Sequence, residues 1–326
     1  MLHVCIFLHF LPGVLGVKLK GRSLLTLKDY SAEEIGYLLD TAASLKKQSR
    51  RGKTRRRFQG KTLALLFEKR STRTRCAFET AFGEEGGHPV FLSTQDVHLG
   101  GKESIEDTSR ILGRMFDCIQ FRGFEQKTVE TLARFSNVPV YNGLTDSYHP
   151  TQALADLLTI SEYCGGLTGK KVCYSGDGRN NVATSLVIAC AKMGVHITIA
   201  APEELKPDAS LLDTAKTWAA STGAEIGFET DPVAAVKGAD VIYTDVWISM
   251  GEEEKTKERK KLLTPYQVNS ELMRATGNPD VKFLHCLPAV KGQEVTQEII
   301  DGPQSAVWEQ AENRKHTIKA VILATL

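Results

Sequence analysis

Apolar positions along the chain fall into short runs separated by stretches of helical periodicity, and from residue 60 onward the two patterns alternate. In the first half, Thr62–Glu68, Pro89–Ser93, Cys118–Arg122 and Pro139–Asn142 predict strands, with helices near 73–85, 104–116 and 126–136 between them. In the second half the predicted strands are Lys171–Ser175, His196–Ala200, Glu225–Phe228, Val241–Thr244 and Lys282–Cys286. Helices near 181–193, 208–221 and 231–237 fall between those. Repeated strand–helix–strand units imply an α/β protein, with parallel sheets covered by helices on both faces. In such sheets ligands bind outside the carboxyl ends of the strands.

A long helical pattern from Pro150 to about Tyr163 stops at Cys164-Gly165-Gly166, and Leu167-Thr168-Gly169-Lys170 leads into a new strand. That stop is the expected boundary between two doubly wound domains, residues 17–164 and 165–326. A final helix over about 309–325 is expected to pack back on the first domain, so that interdomain helices link the two. No fixed-period repeat is present.

Composition narrows the class further. The 326 residues carry 41 Lys+Arg against 39 Asp+Glu, are 42% hydrophobic, and have a formal charge of +2. That balance gives no global drive toward nucleic acid or a membrane surface. No run approaches the roughly 18 apolar residues of a membrane span. Lys46 to Arg57 (KKQSRRGKTRRR) concentrates basic charge without interleaved aromatics, so it is expected to be a solvated helix end and loop, not an RNA-binding patch. Glu252 to Lys261 mixes signs and is expected to be exposed surface. Seven scattered cysteines, with no C-x-x-C pair, point to a reducing, cytoplasmic setting. No Cys/His cluster has zinc spacing, and no metal site is expected. Residues 1–16 (MLHVCIFLHFLPGVLG) are apolar but lack the basic n-region of a secretory signal. They are expected to be an extension or a misplaced start.

Five segments carry candidate chemistry. Ser71-Thr72-Arg73-Thr74-Arg75 follows the strand ending Phe67-Glu68 and opens a helix, whose free N–H groups suit a phosphate. Arg73 adds a bidentate fork, and the hydroxyls of Ser71 and Thr74 add donors. His149-Pro150-Thr151-Gln152 starts the long helix, with Pro at its first position. An imidazole there can donate to a carbonyl oxygen. Asp245-Val246-Trp247-Ile248-Ser249-Met250-Gly251 follows a strand, so it offers a carboxylate for an ammonium group and a flap beside it. His285-Cys286-Leu287-Pro288 puts a thiol at another strand end. Gly176-Asp177-Gly178-Arg179-Asn180-Asn181 lacks the glycine spacing of a dinucleotide loop, which argues against an oxidoreductase; Asn181 could instead reach an amino-acid carboxylate.

These segments in this order, with Phe121-Arg122-Gly123 between the first two and Ala311-Glu312-Asn313-Arg314-Lys315 in the last helix, resemble the aspartate/ornithine carbamoyltransferase family. The resemblance runs from about Val17 to the end. It implies a first domain that binds carbamoyl phosphate and a second that binds the acceptor amine, with no metal and no organic cofactor. Ser71, Thr72, Arg73 and Thr74 match the phosphate cradle. Arg122, His149 and Gln152 match ligands of the carbamoyl group, Cys286 and Leu287 lie beside them, and Arg314 closes the site. Arg73, Arg122, His149 and Cys286 are the implied catalytic set. Asn181, Asp245, Ser249 and Met250 match contacts of ornithine, and the Ser249-Met250-Gly251 loop goes with ornithine within the family. Putrescine or N-acetylornithine as acceptor, or a non-catalytic scaffold, are the alternatives. His98 in Gln95–Gly100 matches a residue lent to the neighbouring subunit's site, which implies a homotrimer or an assembly of trimers. Leu287-Pro288 matches a cis peptide bond. Both directions of carbamoyl transfer fit the resemblance.

Overall fold

The computed structural model describes residues 17–53, 55–93, 103–248 and 256–326. The first sheet holds β1 (Thr62–Phe67), β2 (His88–Ser93), β3 (Cys118–Arg122) and β4 (Val140–Leu144), all parallel, in the order β2-β1-β3-β4. The second holds β5 (Lys171–Ser175), β6 (His196–Ala200), β7 (Ile226–Glu229), β8 (Val241–Thr244) and β9 (Lys282–His285), also parallel, in the order β7-β6-β5-β8-β9. Strand order therefore reverses between β1 and β3 and again between β5 and β8. Those reversals open a crevice at the carboxyl ends of each sheet.

Alternation along β1 explains its central place. Ala64 and Leu66 face a cluster with Leu112, Ile119, Phe121, Val129 and Leu132. Leu63, Leu65 and Phe67 face the opposite layer with Phe78, Phe82 and Tyr141. With both faces covered the strand must be apolar throughout, and each such side chain contributes about 2 kcal/mol on burial. The covering helices are α1 (Ala32–Arg50), α2 (Thr72–Gly83), α3 (Ile105–Met115), α4 (Gln126–Ser136) and α5 (Pro150–Cys164) in the first half. In the second half they are α6 (Asn181–Met193), α7 (Ala209–Thr222), α8 (Pro232–Ala235), α9 (Thr256–Leu263), α10 (Ser270–Ala275), α11 (Gln297–Ile300) and α12 (Val307–Thr325). Helix α5 ends at Gly165 in the left-handed conformation, φ 73°, and its residues 150–160 are all buried.

Helix α12 follows the second sheet in sequence yet packs on α1, α2 and α5. It is held there by buried polar contacts as well as by Ile318, Val321 and Ile322. Lys319 Nζ lies 2.8 Å from Glu84, and Asn313 accepts from Lys46 at 2.7 Å. Lys46 also pairs with Glu162 at 2.8 Å and is only 4% exposed. Residues 50–53, 55 and 56 of the basic segment are exposed as expected, but its first lysine is a buried strut, and Arg57 pairs with Glu85 at 2.6 Å. The absence of a neighbouring acid in sequence hid both, because Glu162 and Glu85 arrive from other elements. No helix of the described residues is long and apolar enough to cross a membrane.

Candidate active site

The carboxyl ends of β1 and β3 form one wall of the crevice. Ser71 caps α2 by accepting from the Thr74 N–H at 3.2 Å, which leaves the first N–H groups of that helix facing outward. Arg122, at the end of β3, donates to Thr74 Oγ1 at 3.0 Å, and Arg314 from α12 donates to the same oxygen at 3.0 Å. With both lone pairs taken, the Thr74 hydroxyl proton is left for an oxygen in the crevice. Gly123 keeps the turn after β3 tight, since a Cβ there would meet Glu68 Oε2 at 2.0 Å.

Arg73, Arg122 and Arg314 have no carboxylate within ion-pair reach among the described residues. Burial pulls Arg122 down to about 9, helped by Arg314 and Arg73. Burial likewise pulls Arg314 down to about 10. Arg73 is lowered by burial too, against the opposing influence of Cys286 and Asp245. With Arg122 disfavoured by both other guanidiniums and Arg314 by Arg73, the cluster is set for an anion. His149 sits at the start of α5, 3% exposed, its main-chain N–H held by Ser185 Oγ at 2.8 Å. Burial, then Arg314, Arg122 and Arg73, push its pKa well below the usual histidine value, so the ring is neutral. Gln152, one turn on, has a buried Oε1 with no partner among the described residues.

The carboxyl ends of β8 and β9 form the other wall. Thr244 pairs with His285 in register, which brings the next residues, Asp245 and Cys286, side by side. The Cys286 thiol donates to Asp245 Oδ1 at 3.0 Å, and the Val246 N–H donates to the same oxygen at 2.8 Å. Burial and the adjacent Asp245 carboxylate push the Cys286 pKa well above the usual thiol range. The group is therefore a thiol donor and not a thiolate nucleophile. Asp245 is 9% exposed, and burial raises its pKa while His285 and Cys286 lower it. Leu287 adopts φ 61°, its N–H donates to His285 Nδ1 at 2.8 Å, and the Leu287-Pro288 bond is cis. Asn181 donates to the Thr145 carbonyl at 2.5 Å, while its neighbour Asn180 reaches Asp245 at 3.5 Å and the Tyr174 hydroxyl at 2.6 Å. Gly176 supplies the φ of 147° that turns β5 into this loop. His98, Ser249 and Met250 lie outside the described residues.

Residues 22–162 match the family model described as aspartate/ornithine carbamoyltransferase, carbamoyl-P binding domain, and residues 168–325 match its Asp/Orn binding domain. The chain belongs to the aspartate/ornithine carbamoyltransferase family. Among its relatives is an ornithine carbamoyltransferase of Caldanaerobacter subterraneus, 65% identical over 94% of this chain and 98% of that protein. A catabolic ornithine carbamoyltransferase of Bacillus licheniformis is 53% identical over 95% and 98%. The solved ornithine carbamoyltransferase of Pyrococcus furiosus superposes with a TM-score of 0.92 at 50% identity, covering 95% and 98%.

Set in that family, the two walls are brought together by side chains the motifs did not single out. Gln310 of α12 and Asp156 of α5 are both 1% exposed and bonded to each other at 2.7 Å. Each stands one helical turn from a singled-out residue, Arg314 and Gln152, and a polar pair at that spacing on an otherwise buried helix is the signal that could have found them. Spacing also gave no hint that Asp245, His285 and Cys286 bring potential metal-ligand atoms within 4.8 Å of one another. They meet only through the β8–β9 pairing. The thiol is bonded to the carboxylate, and His285 Nδ1 accepts from the Leu287 N–H, while His285 Nε2, 3.4 Å from Glu294, has no hydrogen-bond partner among the described residues.

Proposed function

We propose that the chain transfers the carbamoyl group of carbamoyl phosphate to the δ-amine of L-ornithine, giving L-citrulline and phosphate. The observation that carries this is one crevice with opposite ends: three guanidiniums without carboxylate partners among the described residues on one wall and the buried Asp245 on the other. The first suits a phosphate dianion and the second an ammonium group.

In this reading residues 17–164 bind carbamoyl phosphate and residues 165–326 bind ornithine. Ser71, Thr72, Arg73 and Thr74 cradle the phosphate at the α2 N-terminus, and Arg314 completes the clamp. The carbamoyl oxygen becomes an oxyanion as the amine attacks, and Thr74, Arg122 and neutral His149 donate to it. Gln152 Oε1 and the Leu287 carbonyl accept from the carbamoyl NH2. Asp245, with Cys286, holds the α-ammonium group of ornithine, and Asn181, Ser249 and Met250 hold the rest of the amino-acid end. A free alkyl amine titrates near about 10.4 and must be neutral to attack. Desolvation beside Arg73 and Arg122 lowers that value. The C–N bond then forms, a proton leaves nitrogen, and the C–O bond to phosphate breaks. Positioning and charge stabilisation carry the rate.

The protein works as a homotrimer or an assembly of trimers in the cytoplasm, each site completed by His98 of the neighbouring copy. The reaction is reversible and serves arginine metabolism. The test is product formation from carbamoyl phosphate with ornithine, putrescine, N-acetylornithine and aspartate in parallel. Citrulline from ornithine alone is the expected result. Turnover with another amine instead would overturn the role of Asp245 and Ser249, and none at all would overturn the reading.

A further inference from the structure

Gln152 faces a choice that its own helix does not make. A primary amide has two orientations of nearly equal shape, and only one turns an oxygen toward a carbamoyl NH2. The other would set NH2 against NH2. Two buried groups break the tie. The main-chain N–H of His285 donates to Gln310 Oε1 at 2.9 Å, and a backbone donor accepts no other orientation of that amide. Gln310 Nε2 must then face away, and it donates to Asp156 Oδ1 at 2.7 Å and to the Tyr243 hydroxyl at 3.2 Å. The same Asp156 oxygen accepts from Gln152 Nε2 at 2.8 Å. Gln152 Oε1 is thereby left pointing to no described residue.

We propose that Asp156 is a positioning residue: it locks the Gln152 amide with its oxygen toward the carbamoyl group, and through Gln310 ties that orientation to the main chain at the Cys286-Leu287 turn. This rests on the carbamoyl-transfer reading above. Asp156 is costly as mere filling. It is 1% exposed, its Oδ2 has no hydrogen-bond partner among the described residues, and burial raises it to about 7. An apolar residue would fill a helix interior at lower cost. What the carboxyl supplies is one acceptor shared by two amides from the two halves of the crevice.

The test is steady-state kinetics of Asp156→Leu and Asp156→Asn in the full chain, alone and with Gln152→Ala. Asp156→Leu is expected to lower kcat/KM for carbamoyl phosphate about 100-fold, the scale of a misplaced contact, with KM for ornithine within about twofold. Asp156→Asn keeps an acceptor oxygen at the same place, so it is expected to recover activity to within about fivefold of the parent chain. With Gln152 already replaced, the leucine substitution should cost under about twofold more, because there is no amide left to orient. Full activity of Asp156→Leu, or equal losses in both backgrounds, would overturn the proposal. Should Asp156→Leu fail to fold, Gln310→Met serves instead: a loss of about tenfold that vanishes without Gln152 supports the proposal, and a loss that persists overturns it. No citrulline from the parent chain would overturn the underlying reading and this inference together, whereas citrulline formed equally by parent and Asp156→Leu would overturn the inference alone.

Discussion

The two walls of the crevice solve opposite electrostatic problems. At the ends of β1 and β3, Arg73, Arg122 and Arg314 crowd together, two of them sharing Thr74 Oγ1, with no acid among the described residues to neutralise them. At the ends of β8 and β9, Asp245 is buried and, among the described residues, is met by weak or neutral donors, chiefly the Cys286 thiol and the Val246 N–H. Among the described residues each wall is thus incompletely paired, and in opposite senses. Burial of either charge alone is unfavourable, so each wall is set for a partner of the other sign. The difference shows that the same device, parallel strands ending side by side, makes an anion site or a cation site according to the side chains gathered at their carboxyl ends.

That contrast can be broken at either end. The largest effect is expected from Arg73→Ala, which removes one fork of the proposed phosphate clamp: turnover should fall about 1,000-fold while circular dichroism stays unchanged. Near-parental turnover in a folded variant would remove Arg73 from the clamp. Asp245→Asn is expected to lower kcat/KM for ornithine about 100-fold, since it removes the charged partner proposed for the α-ammonium group. Cys286→Ala takes away a single neutral donor, so KM for ornithine should rise about tenfold with carbamoyl phosphate binding little changed. Equal loss for both substrates would contradict the place given to the thiol.

A smaller effect is thermodynamic. The unfolded chain takes up a proton at His149 near the usual value of about 6.5, whereas the folded imidazole, buried among arginines, refuses it at that pH. The unfolded state then binds more protons, so stability falls as the pH drops below about 6.5 and this group is silent above it. The melting temperature of His149→Gln should therefore fall less than that of the parent chain between about pH 7.5 and 5.5. Parallel curves would contradict a neutral, desolvated His149.

Much of this architecture is legible in the order of residues alone. The expected bounds of Cys118–Arg122, Lys171–Ser175, His196–Ala200 and Val241–Thr244 coincide with β3, β5, β6 and β8. Buried parallel strands are unbroken apolar runs with sharp polar ends, which leaves little freedom in placing them. Helix α1 is not legible in the same way, because its apolar stripe of Ile35, Leu38, Leu39, Ala42 and Leu45 runs into the basic segment and its partners come from α12 and α5. Within the site, the residues at strand ends and helix starts stand out because local sequence marks those places. Asp156 and Gln310 do not, since the bond between them joins residues 154 apart in sequence and only the packing of α12 across α5 and β9 brings them together.

The separation of the two walls is the centre of the account, and equilibrium binding of carbamoyl phosphate in the absence of ornithine tests it most directly. Titration calorimetry on the parent chain, Arg73→Ala and Asp245→Asn should give parental affinity for Asp245→Asn and a loss of about 100-fold for Arg73→Ala. Equal losses in the two variants would show that the walls do not act as separate sites for opposite charges.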